Sequence, residues 1–318
     1  MTSKSTALKE LYNRPGACAE LVFPINAFHA KILEDLGFEG LILGAAAVLS
    51  PILGRVDNGT ISLTESVMVS KWFADAVRIP CITDTDACFG GIFQVQLAVK
   101  EFIQAGIAGI VMEDQPFLTK RMGAVAGKEV VPIEDAVAKL RVAIDVRDEI
   151  CPDFQITARC DALTAVNANG LAETIKRLLA YKAAGADVLH FEGPRTLDEV
   201  REVRAAVPGP LVCTAYSLPE EITAEEGVQL GLAAVYYLQA LRSNVRFMYY
   251  LYNGIREKGF DRAIEEFNAS CPVDDKVLGK IRRKYTLGDL EAFERKYLGE
   301  GVAARYDADA GRSLPKTL

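Results

Sequence analysis

The feature that most restricts the fold is a unit that recurs along the chain. It appears as DLGFEGLILG (35–44), QAGIAGIVMED (104–114), AAGADVLHFEG (183–193) and QLGLAAVYYL (229–238). In each, a helical stretch ends at a glycine (Gly37, Gly106, Gly185, Gly231) and a short apolar run follows. Glycine past a helix end supplies the left-handed cap, and a short unbroken apolar run suits a strand buried on both faces. Further apolar runs at 19–24, 79–83, 154–159 and 210–215 complete eight strands alternating with helices between about residues 18 and 240. Such alternation means a parallel sheet, and eight units within ~250 residues favour a closed (β/α)8 TIM-type barrel. The alternative, an open doubly wound sheet, usually carries a Gly-rich phosphate loop after its first strand; here that strand leads into PINAFHAK.

Residues 1–240 are therefore expected to form the barrel, and 241–318 a C-terminal helical extension packing on the barrel or on a neighbouring subunit. Helices are expected over 242–258, 260–268, 274–284 and 289–297, and a mobile or partner-bound tail after them. The chain sets 36 basic against 43 acidic side chains, a net charge of −7, which argues against nucleic-acid binding. No apolar run reaches the ~18–20 residues of a membrane helix, and the first residues lack an apolar signal core, so a cytoplasmic protein is expected. The seven cysteines include no CxxC pair and read as reduced thiols. The two histidines, His29 and His190, are far apart in sequence, so a bound metal would need oxygen ligands, which points to Mg²⁺ or Mn²⁺ rather than zinc.

Chemistry in such barrels sits at the C-terminal ends of the strands. There the sequence offers Asp84 and Asp86 (DTDACFGG), Glu113 and Asp114 (EDQ), Arg159 and Asp161 (ARCDA), Glu192, and Asp57 in the loop after the second strand. So many uncompensated buried carboxylates would be costly; a divalent cation and an arginine offset that cost. Asp-x-Asp at a strand end is expected to aim both side chains alike, by the two-residue period of strands. Each residue also has a plainer reading. A lone Asp after a strand is most often a helix cap, Arg159 an ion-pair partner, Glu192 an ordinary strand-end residue, Lys120 and Arg121 a solvated pair, and His29 and His190 packing residues. Acids on successive strands are harder to explain by capping, and Arg159 suits bidentate binding of a substrate carboxylate.

The set DTDACFGG, EDQPFLTKRMG, GKEVVPIED and ARCDAL, over residues of about 8–290, resembles the isocitrate lyase/phosphoenolpyruvate mutase superfamily. The resemblance is closest to its short-chain lyase branch, which includes 2-methylisocitrate lyase, dimethylmalate lyase and oxaloacetate hydrolase. It implies a barrel whose eighth helix is exchanged between paired subunits, a homotetramer built as a dimer of dimers, Mg²⁺ or Mn²⁺ as cofactor, and a small carboxylate substrate that reacts through an enolate. By position it implies Asp86 as direct metal ligand, with Asp84, Glu113 and Asp57 holding metal-bound water and Asp57 also near the reacting group. It places Arg159, Glu192 and Thr214 on the substrate, the backbone of Gly44, Ala45 and Ala46 on a substrate carboxylate, and Lys120 and Arg121 over the site on a closing loop, 114–128.

Several residues depart from the family pattern. The loop cysteine that protonates the product enolate is Met122, the Ser-Gly-Gly after strand two is Gly44-Ala45-Ala46, the Gly after DxD is Cys88, and the strand-seven Asn is Thr214. A thioether has no ionisable proton. Three functions stay open: a Mg²⁺-dependent carbon–carbon lyase giving a 2-oxo acid, in which Cys88, Tyr216, Lys120 or water replaces the cysteine; a decarboxylase, hydrolase or phosphonate-type relative; and a catalytically silent metabolite-binding homologue.

Overall fold

A computed structural model describes residues 3–168, 170–219, 221–286 and 290–302. The chain divides between Ser243 and Asn244 into two compact units.

The first unit is a barrel of eight parallel strands: β1 (Ala19–Val22), β2 (Gly40–Leu43), β3 (Cys81–Asp84), β4 (Gly109–Glu113), β5 (Gln155–Cys160), β6 (Val188–Glu192), β7 (Leu211–Thr214) and β8 (Ala234–Tyr237). Neighbours run β7-β6-β5-β4-β3-β2-β1-β8. The remaining gap is bridged by the amide of Ala233, just before β8, which donates to Leu211 O of β7 at 2.8 Å. Every residue of β2, β4, β5 and β6 is buried, which is why these strands read as continuous apolar runs rather than alternating ones. The four capping glycines have φ of +92°, +79°, +104° and +68°, the left-handed conformation glycine adopts without steric cost. Gly109 opens β4 for a different reason: a Cβ there would lie 2.6 Å from Gln155 O on β5.

Register then sets the level of the polar groups. Glu113 pairs with Arg159, Arg159 with His190, and Glu192 with Thr214. The C-terminal ends of β4 to β7 therefore deliver one acid, one guanidinium, one imidazole and one further acid to the same rim.

The second unit is helical. Beyond the end of Leu238–Lys258, which crosses the boundary, it contains Phe260–Ser270, Asp275–Thr286 and Leu290–Leu298. Helix Leu238–Lys258 carries exposed Val245, Phe247, Tyr249 and Tyr252. The tail expected after residue 302 lies outside the described residues. No described helix is long and apolar enough to cross a membrane.

Candidate active site

At the rim lies a cavity of ≈ 290 Å³. Asp57, Asp84, Arg159, His190, Glu192, Thr214 and Tyr216 supply its polar wall, and Phe23, Ile42, Val111 and Met122 much of its apolar wall. Gly44, Ala45 and Ala46 line it as well, on a π-helical turn in which Gly44 O accepts from both Val48 N and Leu49 N. Such turns are rare and recur at functional sites.

The acidic end is organised around Lys120. Its ammonium lies 2.7 Å from Asp86 Oδ1 and pairs also with Asp57 Oδ1. Burial disfavours the charged amine, but Glu113, Asp86, Asp57 and Asp84 outweigh that and raise its pKa. The acids pay the opposite penalty. Burial pushes Asp86 up to about 6; Lys120 works against the shift, while Asp84 and Asp57 add to it. Glu113 is pushed well above the carboxylate range, again mainly by burial. Lys120 thus sits among the carboxylates as an internal cation, rather than over the substrate as the sequence reading placed it. The reason is electrostatic: four neighbouring carboxylates in low dielectric draw in the nearest mobile positive charge.

Asp84 and Asp86 are not two positions of one strand, contrary to the expectation from the Asp-x-Asp spacing. β3 ends at Asp84, and Asp86 lies beyond it at φ +50°, so strand alternation does not relate the two. They converge because Asp84 Oδ1 accepts from Asp86 N at 3.0 Å, a local turn that replaces the strand period.

Arg159 joins the two ends of the cavity. Its Nε and Nη2 bond Asp161 at 2.9 and 3.1 Å, while Asp84, Glu113 and Glu192 lie at 3.5, 3.5 and 3.4 Å. Those last distances are too long for good hydrogen bonds, so the outer face of the guanidinium retains capacity for a substrate carboxylate. Asp161 is spent on structure: it also takes fully buried Lys128 at 2.7 Å, and these cations outweigh burial to hold its pKa below the usual range. Asp114 is structural too. It accepts from Tyr181 Oη at 2.6 Å and from the amide of Asp161 at 2.9 Å, and it caps no helix.

Arg121 does not reach the site. Its side chain is exposed and its guanidinium lies beside Gly127, while its backbone is pinned by Gln115 through two 3.0 Å bonds. His190 reaches it although sequence reasoning gave it a packing role. Its Nε2 lies 2.8 Å from Thr214 Oγ1 and 3.4 Å from Glu192 Oε2, and its buried Nδ1 has no hydrogen-bond partner. The signal was present in the sequence: His190 stands two residues before Glu192 on one strand and so shares its face. His29 accepts from Ile25 N at 3.1 Å, a local structural role.

The donor set suits a hard divalent ion. Buried Glu113 Oε1 has no hydrogen-bond partner, and Asp86 Oδ1 has only the Lys120 ammonium beside it at 2.7 Å, so burial keeps both carboxyls raised. Among the described residues no three His, Cys, Asp or Glu side chains are gathered closely enough to ligate an ion on their own. Mg²⁺, which keeps several waters and takes one or two carboxylates, fits such a set through Asp86 and intervening water.

The family model for phosphoenolpyruvate phosphomutase matches residues 8–249. The 2,3-dimethylmalate lyase of Eubacterium barkeri is 34% identical over 220 residues, 69% of this chain and 71% of that protein. The oxaloacetate decarboxylase of Chromohalobacter salexigens is 30% identical over 293 residues, 89% and 93% of the two chains. A crystal structure of phosphonopyruvate hydrolase with oxalate and Mg²⁺ superposes with a TM-score of 0.78 at 28% identity, covering 93% of this chain and 100% of that one. With the eight-stranded barrel and the acidic rim already in place, these matches make the chain a member of the phosphoenolpyruvate mutase/isocitrate lyase superfamily.

Proposed function

We propose that the chain is a Mg²⁺- or Mn²⁺-dependent lyase that breaks a carbon–carbon bond in a 2-hydroxy di- or tricarboxylate of the 2,3-dimethylmalate or 2-methylisocitrate type, releasing a 2-oxo acid. The observation that carries this reading is the convergence of Asp57, Asp86 and Glu113 beside a largely apolar cavity that Arg159 spans. A divalent cation held by Asp86, with Asp84, Glu113 and Asp57 on its waters, would act as a Lewis acid on the oxygens of the 2-hydroxy acid.

The chain's own groups do the rest. Arg159 offers its outer face to a carboxylate. Thr214, Glu192 and the Gly44–Ala46 segment line the same cavity. In this reading Asp57, which lines the cavity beside Lys120, takes the hydroxyl proton. Methyl-bearing substrates suit a wall of Phe23, Ile42, Ala45, Ala46 and Met122 better than a third hydrophilic arm does. Loop 114–128, held down by Lys120, excludes water from the reacting centre. The exposed aromatic face of Leu238–Lys258 supports assembly into a homo-oligomer, a dimer of dimers with that helix exchanged between subunits.

A second reading, decarboxylation of oxaloacetate, is favoured by Met122, because that reaction leaves an enolate that needs no loop thiol. A screen of branched and unbranched 2-hydroxy dicarboxylates, 2-methylisocitrate and oxaloacetate with Mg²⁺ separates the two. The lyase gives a 2-oxo acid and a second organic acid in equal amounts, and loses activity with chelator. CO₂ from oxaloacetate without a second organic fragment favours the decarboxylase instead.

A further inference from the structure

Cleavage of this kind ends with a carbanion that must be protonated, and the loop residue expected to do so is Met122. The structure discriminates among the groups able to replace it. Cys88 is fully buried in the core, away from the cavity wall, and burial pushes its thiol up to about 12. The Lys120 ammonium is buried between Asp57 and Asp86 and does not line the cavity. Tyr216, two residues past β7, lines the cavity and donates its hydroxyl to Gly123 O, next to Met122, at 2.6 Å.

Gly123 itself lies against the substrate-binding end: a Cβ there would clash with Glu192 Oε1 and lie 2.9 Å from Arg159 Nη2. The phenol, the loop at 122–123, Arg159 and Glu192 thus meet at one wall. Resting on the lyase reading above, we propose that Tyr216 is the general acid of this site, delivering the proton that Met122 cannot. The step balances without redox change. The 2-hydroxyl proton passes to Asp57, and the C2–C3 bond breaks with its electron pair left on C3 as the enolate of the second carboxylic acid. C3 then takes the proton from Tyr216 Oη; water reprotonates the phenolate, and the hydroxide so formed takes the proton from Asp57, which resets both groups. Burial, with a smaller contribution from the Glu192 charge, pushes the phenol up to about 12, so it keeps its proton throughout the neutral range.

The test compares the unmodified protein with Tyr216→Phe, Met122→Cys and the double variant, all with 2,3-dimethylmalate and Mg²⁺ in D₂O. The unmodified protein is expected to deuterate the new C–H of propionate in a single configuration. Tyr216→Phe should lose about 10²-fold or more in kcat and give stereorandom deuteration, with an unchanged melting temperature. Adding Met122→Cys to Tyr216→Phe should recover at least about tenfold and introduce an alkaline limb from a thiol of pKa ~8.5. Tyr216→Phe within threefold of the parent in kcat, still with one configuration, overturns the assignment, and so does a rise in KM alone, which marks a loop latch. A kcat loss that Met122→Cys does not rescue overturns it too. If the unmodified protein makes no 2-oxo acid from 2,3-dimethylmalate or 2-methylisocitrate, the lyase reading itself falls and the proposal falls with it.

Discussion

The two ends of the cavity solve opposite problems. At the acidic end, Asp57, Asp84, Asp86 and Glu113 accumulate more negative charge than a buried site tolerates, and Lys120 and Arg159 are drawn in to balance it. Elsewhere on the cavity wall, Met122, Ala45, Ala46 and Phe23 present apolar surface, and His190, Glu192, Thr214, Tyr216 and Arg242 carry the polarity. In the proposed reaction the first end would hold a cation and the oxygens bound to it, and the second would shape an apolar substituent and admit one proton. Substitutions at the first end should therefore act through charge, and those at the second through shape and proton supply.

The largest expected effect is at Asp86. Asp86→Ala should abolish divalent-metal dependence together with turnover, a loss of about 10³-fold or more when several kcal/mol of charge stabilisation disappear. Steady-state rates across an Mg²⁺ titration measure this directly, and full activity would break the contrast between the two ends.

Next comes Lys120→Met. Removing one partner of a buried charge cluster typically costs about 3–5 kcal/mol, so the metal-free variant should melt well below the parent. Added Mg²⁺ should raise the variant's melting temperature more than the parent's, because the ion replaces the missing charge. An equal Mg²⁺ shift in both proteins would mean that ammonium and ion do not share the acidic end.

Acidification offers a milder probe of the same end. The raised carboxyls of Asp86 and Glu113 bind protons more tightly folded than unfolded. Their contribution to stability is present below the unfolded carboxylate pKa of ~4 and is lost as pH rises, for Asp86 through about 6. The metal-free protein should accordingly gain a few degrees between pH 7 and pH 5.5, and saturating Mg²⁺ should flatten that slope; thermal melts at several pH values show which occurs. The smallest effect is expected at Arg121, whose exposed guanidinium lies beside Gly127. Arg121→Ala should leave kcat/KM within about twofold and stability within ~0.5 kcal/mol.

The barrel was legible in the sequence because its strands are buried on both faces and its helices stop at glycines, two local signals that survive without tertiary knowledge. The acidic rim was legible for the same reason: Asp84, Glu113, Arg159 and Glu192 stand at the last positions of β3 to β6 or next to them. What stayed hidden depends on contacts between distant segments. That Asp114 and Asp161 are consumed by Tyr181, Arg177, Lys128 and Arg159, and that Lys120 turns inward while Arg121 turns outward, follows from packing that no spacing rule encodes. The geometry at Asp86 was misread because strand alternation was extended one turn past the point where β3 stops.

Mn²⁺ binding followed by electron paramagnetic resonance tests most directly whether acids at neighbouring strand ends share a hard cation. A titration of the unmodified protein should give one site per chain, lost in Asp86→Ala and displaced by Mg²⁺. No bound Mn²⁺ at millimolar concentration, or binding unaffected by Asp86→Ala, would contradict a shared cation.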